Sequence, residues 1–368
     1  MSAVADHVLP APPEVRLSAS PEVRGPASPN GRAQAAQSQA APAPAQRHRP
    51  WGVGLLAAAA WLGLGLLTLL VPNQEAGFSE WVYTHEFGVF ALVLAGALAV
   101  LALWPGLRTS PSRALHTLRH IGPWLVAAAV VLALWELATA KIAWLPTPFF
   151  APPTALAEVY VTDWARLGDS AFNSLKLLAI GTAIGGLWGF AVGVWIGWSR
   201  IANYWIHPVL RVLGPVPTTA LLPICFYFFP SSWSTAIFLI ALGTAFPVAI
   251  LTWSGVVSVN KQYYDVARTL GASNAFLIFR VAIPAALPQV FVGLFMGLGA
   301  AFSTLVVAEM LGVKSGLGWY LTWAQGWASY PNMYAALLVM ALLFSGVISL
   351  LFAVRGRVLA WQKGVVTW

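Results

Sequence analysis

Eight stretches of this chain, near 51–71, 88–105, 121–140, 173–198, 208–228, 232–257, 285–310 and 334–354, are almost continuously apolar. Each is close to the roughly 20 residues that a helix needs to cross a bilayer. Hydrocarbon offers no partner to a free backbone N–H or C=O, so open strands cannot lie there. The runs also lack the alternation of a membrane barrel. The sequence therefore predicts an all-α polytopic membrane protein with about eight transmembrane helices. Charge agrees: 9% of the 368 residues are charged, against about 25% in soluble domains. That excludes an ordinary soluble enzyme and a wholly disordered chain. Nineteen Trp residues fit a protein with two membrane interfaces. The one cysteine, Cys225, excludes an intrachain disulfide and cysteine-pair redox chemistry.

The net charge of +8 would suggest nucleic acid in a soluble protein. Its distribution gives another reading. With the N-terminus inside, 16 of the 20 Lys and Arg residues fall in the tail and inside loops, including Arg108, Arg113, Arg119, Arg200, Arg211, Lys261, Arg268, Arg280, Arg355, Arg357 and Lys363. Lys141, Arg166 and Lys314 fall outside, with Glu75, Glu80, Glu86, Glu158, Asp163 and Asp169. The positive-inside rule then gives N-in and C-in, with no nucleic-acid partner.

Residues 1–50 read as a disordered cytoplasmic tail, rich in Ala, Pro, Ser and Gln. The first apolar run begins at Trp51 and reads as an uncleaved span rather than a signal peptide. Segment 146–169 falls outside. It opens with Pro146, Pro148, Pro152 and Pro153, and a short surface helix is expected from Thr154 as cap, with Ala157 and Val161 on one face and Glu158 on another.

Gly181, Gly185, Gly189, Gly193 and Gly197 recur every fourth residue in the fourth span. Such a stripe lets another helix backbone approach closely. It serves either packing within the chain or a moving interface along a transport pathway.

The inside loop 258–284 carries the most information. From Tyr264, Ala267 and Leu270 fall at helical spacing, Val266 extends that face, and Asp265 and Arg268 lie on the polar side. Asp265 suits a first helical turn and Gly271 a helix end. A second helical stretch, Ser273 to Val281, is expected to stop at Pro284. Two short helices lying along the inner membrane surface would suit docking of a cytoplasmic partner.

This loop resembles the cytoplasmic coupling loop of binding-protein-dependent ABC importer permeases. The family pattern is Glu-Ala-Ala, three residues, Gly, nine residues, Ile, one residue, Leu-Pro. Here it reads Asp265-Val266-Ala267, then Arg268, Thr269 and Leu270, then Gly271 followed by Ala272, then Val281 and Ile283-Pro284. The spacing matches, with similar residues at the departures. The resemblance extends over about 120–368 and is closest to the nitrate, sulfonate and taurine branch. It is carried there by Pro146-Thr-Pro148, Pro152-Pro-Thr-Ala155, Gly197-Trp-Ser-Arg200, His207-Pro208, Gly214-Pro-Val-Pro217, Val266-Ala-Arg-Thr-Leu-Gly271, Ala308-Glu-Met-Leu311 and Ser315-Gly-Leu-Gly318. It implies a permease domain at 121–368, behind an extra two-helix membrane segment at 51–120. It also implies a second permease copy, with a homodimer expected, two ATP-binding subunits docked on the 258–284 loop, and an extracytoplasmic binding protein delivering a small anion such as an alkanesulfonate, taurine or nitrate. The cell inner membrane is the expected location. The chain has no Gly-x-x-x-x-Gly-Lys-Ser/Thr loop, so ATP hydrolysis is expected on a separate chain and no cofactor or catalytic residue here.

Glu309 and Glu136 fall within spans, where an acid is a functional candidate by default. Glu309 abuts the 312–318 loop, near the pore mouth in the resembling family, and joins Lys176, Gly185, Gly189 and Gly193 as a candidate for the pathway or its gating. Glu136 reads as an interfacial acid flanked by Trp135 and Trp144, and Lys176 as a cation snorkelling towards Asp169. His207 reads as structural, at a helix start before Pro208. No His, Cys, Asp or Glu grouping has metal-ligand spacing. An ion-coupled secondary transporter would bring internal repeats and leave the long loop unexplained. A lipid-modifying membrane enzyme would need ionisable residues clustered at one face, whereas the inside loops carry a single acid, Asp265.

Overall fold

The structure is a computed structural model that describes residues 51–74, 81–103, 113–146, 148–214 and 216–361. The expected tail at 1–50, Glu75, Glu80, Arg108, Thr147, Pro215 and Lys363 lie outside the described residues. Among the described residues every regular element is helical. Seven helices are long and apolar enough to cross a membrane, and a bent helix pair brings the number to eight if it counts as one span. The chain is an all-α polytopic membrane protein.

Helices α1 (Gly52–Leu70) and α2 (Thr84–Leu103) form a hairpin that packs on α3 (Arg113–Glu136). Small residues make the close contacts: Ala57, Ala58, Ala91, Ala95 and Ala129 are buried around Trp61, Leu64 and Leu98. Close approach of small residues supplies packing where lipid removes the hydrophobic drive. Trp61 Nε1 donates to the Leu125 carbonyl at 3.1 Å, so its polar edge is satisfied inside the bundle.

A wide π-helical turn, Leu137–Lys141, ends α3 and delivers Lys141 to the end of α1. Lys141 is therefore no outer-loop cation: it is 4% exposed. Its Nζ donates to the Thr68 carbonyl at 2.8 Å, the Val71 carbonyl at 2.6 Å and Asn73 Oδ1 at 2.6 Å. The last carbonyls of a helix have no intrahelical partner, and an ammonium placed there answers both their hydrogen bonding and their partial charge.

The outer-segment helix is α4 (Pro153–Thr162), and it corrects the expected cap. Pro152 takes the cap position, because Pro153 fits the first helical residue, where its missing N–H costs nothing. Thr154 is buried with its hydroxyl unpartnered. The packed face carries Ala155, Leu156 and Val159, while Val161 points outward.

Helix α5 (Trp164–Trp198) begins nine residues before the expected span. The glycine stripe faces α8 (Ser232–Val257) within the same chain. A Cβ at Gly185 would lie 2.2 Å from the Ala241 carbonyl oxygen, one at Gly189 2.5 Å from that of Ala245, and one at Gly193 2.6 Å from that of Ala249. The period of four in α5 thus meets a period of four in α8.

The fifth apolar stretch, expected as one span over 208–228, is broken. Helix α6 (Arg200–Leu213) and the segment Thr218–Phe228, which contains α7 (Leu222–Phe228), meet at 87°. Gly214, Pro217 and Pro223 explain the break, since Pro cannot supply a helical N–H. His207 is thereby placed inside α6 rather than at a helix start, its ring 4.2 Å from that of Trp253.

Helix α9 (Lys261–Thr269) is a separate short helix, but the expected second short helix is not. The chain runs on from Asn274 through a π-helical turn at Leu277–Ala282 into one helix, α10 (Asn274–Leu311). Pro284 follows that wide turn with Ile283 between them and does not end the helix; local widening accommodates an imperfect hydrogen-bond ladder. Helix α11 (Leu317–Gly326) and helix α12 (Tyr330–Val358) complete the chain. The apolar window of α12 is only 6% buried, so its surface faces lipid or another chain.

Candidate functional site

The 258–284 loop presents a short amphipathic helix capped at both ends. Asn260 caps α9 by accepting the Gln262 N–H at 3.0 Å. At the other end Gly271 has φ +82°, in the left-handed region. The Gly271 N–H reaches the Arg268 carbonyl at 2.9 Å and the Ala272 N–H that of Ala267 at 3.0 Å. That pair of bonds is a Schellman ending, which closes a helix in a fixed direction. The face expected from Tyr264 through Leu270 divides in two. Tyr264 and Ala267 turn inward, with the Tyr264 ring 5.8 Å from Trp198 beside Val256, Ala282 and Ala286. Burial pushes the Tyr264 phenol above its ordinary pKa. Tyr263, Val266 and Leu270 turn outward at helical spacing, and Leu270 is 83% exposed. Asp265, Arg268 and Thr269 are exposed beside them, while Val281, Ile283 and Pro284 are half-buried where α10 leaves the loop. An outward apolar stripe on a capped helix, anchored by an inward Tyr, can bury itself on another protein.

A second site lies at the break between α6 and α7. A cavity of about 590 Å³ opens there against α8 and α10. Its polar lining residues are Thr218, Thr219, Ser303 and Thr304, with Arg211, which is exposed, at the same wall. The Thr218 and Thr304 hydroxyls are 2.7 Å apart and join the broken segment to α10. Arg211 was expected in an inside loop. It lies instead in α6, on the cavity wall with Gly243, Pro247 and Leu251 of α8.

Glu309 does not line this cavity. It is 1% exposed and holds the 312–318 loop against α5. Ser174 Oγ lies 2.7 Å from Glu309 Oε1 and 2.9 Å from Oε2, and accepts the Leu317 N–H at 2.8 Å. The Gly318 N–H donates to Oε2 at 2.8 Å. Gly316, at φ +101°, leaves room for the carboxylate, because a Cβ there would fall 2.2 Å from Oε1.

The other sequence candidates separate. Gly185, Gly189 and Gly193 are filled by α8. Lys176 is exposed and makes no ion pair with Asp169, whose Oδ2 is met by Asn173 Nδ2 at 3.2 Å. Glu136 is fully buried inside the chain, with the Thr154 backbone N–H as a polar neighbour of its carboxylate. Its electrostatic partner is Lys141. The expected Trp135 serves another acceptor, donating to the Ala151 carbonyl at 3.0 Å. Among the described residues no three His, Cys, Asp or Glu side chains are grouped as metal ligands.

Sequence reasoning missed Ser174, Thr218, Thr304 and the placement of Arg211. The one signal for the last three was the Gly214-Pro-Val-Pro217 breaker inside an apolar run.

Residues 185–360 match the family described as binding-protein-dependent transport system inner membrane component. A probable ABC transporter permease of Brucella abortus strain 2308 is 32% identical over 247 residues, covering 67% of this chain and 98% of that protein. A putative aliphatic sulfonates transport permease of Escherichia coli K12 is 32% identical, covering 61% and 86%. A nitrate import permease of Synechocystis is 30% identical, covering 73% and 98%.

Proposed function

Because this chain belongs to the binding-protein-dependent inner-membrane component family, and is therefore the multi-pass membrane permease subunit of an ABC importer whose ATPase activity lies in separate subunits, we propose that its 258–284 loop is where an ATP-binding subunit docks. The observation that carries this is the outward stripe of Tyr263, Val266 and Leu270 on α9, closed by Gly271. Asp265 through Ala272 form the contact, and Val281, Ile283 and Pro284 carry its movement into α10. Tyr264 on Trp198 links the same helix to the end of α5. ATP-driven closure of the partners would push α9 against α5 and α10, and so reach the helices around the cavity.

The orientation is N-in and C-in, which sets α9 on the cytoplasmic side with the basic loops. Two copies of this chain and two ATP-binding subunits form the complex, and an extracytoplasmic binding protein delivers the solute. The solute is a small oxyanion: sulfonates and nitrate name the similar permeases, and taurine carries the same sulfonate group. Residues 121–368 act as the permease. The α1–α2 hairpin is an addition ahead of it, and about a third of the chain lies outside the match to the Brucella protein. The Ser174–Glu309 joint and the glycine stripe hold the helices whose relative movement opens the path.

Reconstitution tests the reading. The chain is placed in proteoliposomes with its ATP-binding subunit and binding protein, and uptake of nitrate, methanesulfonate and taurine is followed with and without ATP. ATP-dependent uptake of at least one anion, lost in Gly271→Asp, is the expected result. Full uptake by Gly271→Asp would overturn the docking assignment.

A further inference from the structure

We propose that Arg211 is the residue that holds the translocated oxyanion inside the membrane, in the hydroxyl-lined cavity at the α6–α7 break. This assignment rests on the importer reading above and adds to it a site and a recognition chemistry.

Depth is the first argument. Gly243, on the cavity wall, is the twelfth of the 26 residues of α8, and Leu251 is six residues short of its end. At 1.5 Å per residue, the wall at Leu251 lies about 9 Å inside the helix end. Gly214, three residues after Arg211, is packed beside Ile250, since a Cβ there would lie 3.8 Å from Ile250 Cδ1. Arg211, itself exposed, thus stands beside wall residues that lie well inside the spanning helix α8, and a cation beside such a wall is costly and marks a path or a site.

Partners are the second argument. Among the described residues Arg211 makes no ion pair and no hydrogen bond, and no carboxylate lines the cavity. The neighbouring polar groups are the four hydroxyls, of which Thr218 and Thr304 are already within hydrogen-bond distance of each other. A hydroxyl can turn its proton towards an anion. A cavity lined by one arginine, several hydroxyl-bearing residues and no acid suits a small anion and disfavours a cation.

Shape is the third. Guanidinium presents parallel N–H donors that match two oxygens of one planar or trigonal group. Sulfonate and nitrate both offer three oxygens around one centre with a single negative charge. The apolar remainder of the wall, with Phe246, Pro247 and Ile250, accommodates the carbon end of an alkanesulfonate. Binding at one mid-depth point must stay weak enough for release, and hydroxyls beside a single cation meet that condition better than a cage of charges would.

The test is the number of anions taken up per ATP hydrolysed, measured in proteoliposomes holding the full chain, its ATP-binding subunit and its binding protein. Nitrate, methanesulfonate and taurine are the probes. For Arg211→Gln the ratio is expected to fall about tenfold or more, and Arg211→Lys is expected to recover part of it by restoring charge without the fork. A ratio within twofold of the unmodified chain overturns the proposal. That result covers a purely structural role and a guanidinium that serves a lipid phosphate, because either would lower uptake and hydrolysis together. If the unmodified chain shows no ATP-dependent uptake of any probe, the oxyanion-importer reading fails first and this assignment falls with it.

Discussion

The Ser174 hydroxyl and the Glu309 carboxylate form a buried joint between α5 and α10, with Ser174 Oγ 2.7 Å from one carboxylate oxygen and 2.9 Å from the other. The same Oγ accepts the Leu317 N–H, so one hydroxyl links two helices and the 312–318 loop. Ser174→Ala leaves a buried carboxylate short of a donor and an N–H without an acceptor. The expected cost is about 1–3 kcal/mol, read as a drop in the melting temperature of the detergent-solubilised protein. Glu309→Gln keeps an acceptor for Gly318 and should cost less than Glu309→Ala. The reverse order would contradict the joint.

The contact between α5 and α8 depends on the absence of side chains. A Cβ at Gly185 would sit 2.2 Å from a backbone oxygen, whereas one at Gly168 meets nothing within 4 Å. Gly185→Val is expected to force the helices apart and to reduce the yield of folded protein several-fold, while Gly168→Ala is expected to be tolerated. Size-exclusion profiles of the two variants check this. A monodisperse, thermally normal Gly185→Val would mean that the stripe is not the packed seam.

Lys141 places its three donors on the end of the α1 segment and has Glu136 as its countercharge. Lys141→Met strands those acceptors and a buried carboxylate, at an expected cost of about 3–5 kcal/mol. The double variant Lys141→Met with Glu136→Leu should be less damaging than the sum of the single changes, because the groups are coupled. Simple additivity in thermal unfolding would show that they are not.

The outward stripe of α9 predicts a separation of stability from function. Leu270 is 83% exposed, so Leu270→Asp should leave the melting temperature unchanged while ATP-driven uptake falls at least tenfold. Gly271→Ala, forced to adopt φ +82°, should lower both. Unimpaired uptake by Leu270→Asp would remove the stripe from the transport cycle.

What the sequence made legible was local. The fourfold glycine repeat and the Asp265–Gly271 spacing each lie within one segment, and both returned as a seam and a capped helix. The number of spans followed from hydropathy, because lipid leaves a backbone few options. What failed depended on distant partners or on breaks. Lys141 counts as an outer-loop cation until Thr68 and Val71, about seventy residues earlier, are seen to face it. Summed hydropathy over 208–228 cannot show that Gly214 and Pro217 turn the chain, and so it hid the cavity and Arg211. Thr154 looks like a cap by residue type, but the helix starts two residues earlier than that cap would allow, at Pro153. Pro284 looks like a stop, yet the wide turn at Leu277–Ala282 carries the helix past it.

The most direct measurement of the central claim is affinity purification of the full chain from its native membrane, beside the Leu270→Asp variant, with co-purifying proteins quantified by mass spectrometry. The expected result is an ATP-binding subunit in equimolar amount with the unmodified chain, reduced at least tenfold with Leu270→Asp at equal permease yield. An ATP-binding subunit retained in full by Leu270→Asp, or none recovered with the unmodified chain under conditions where other membrane complexes survive, would contradict docking on α9.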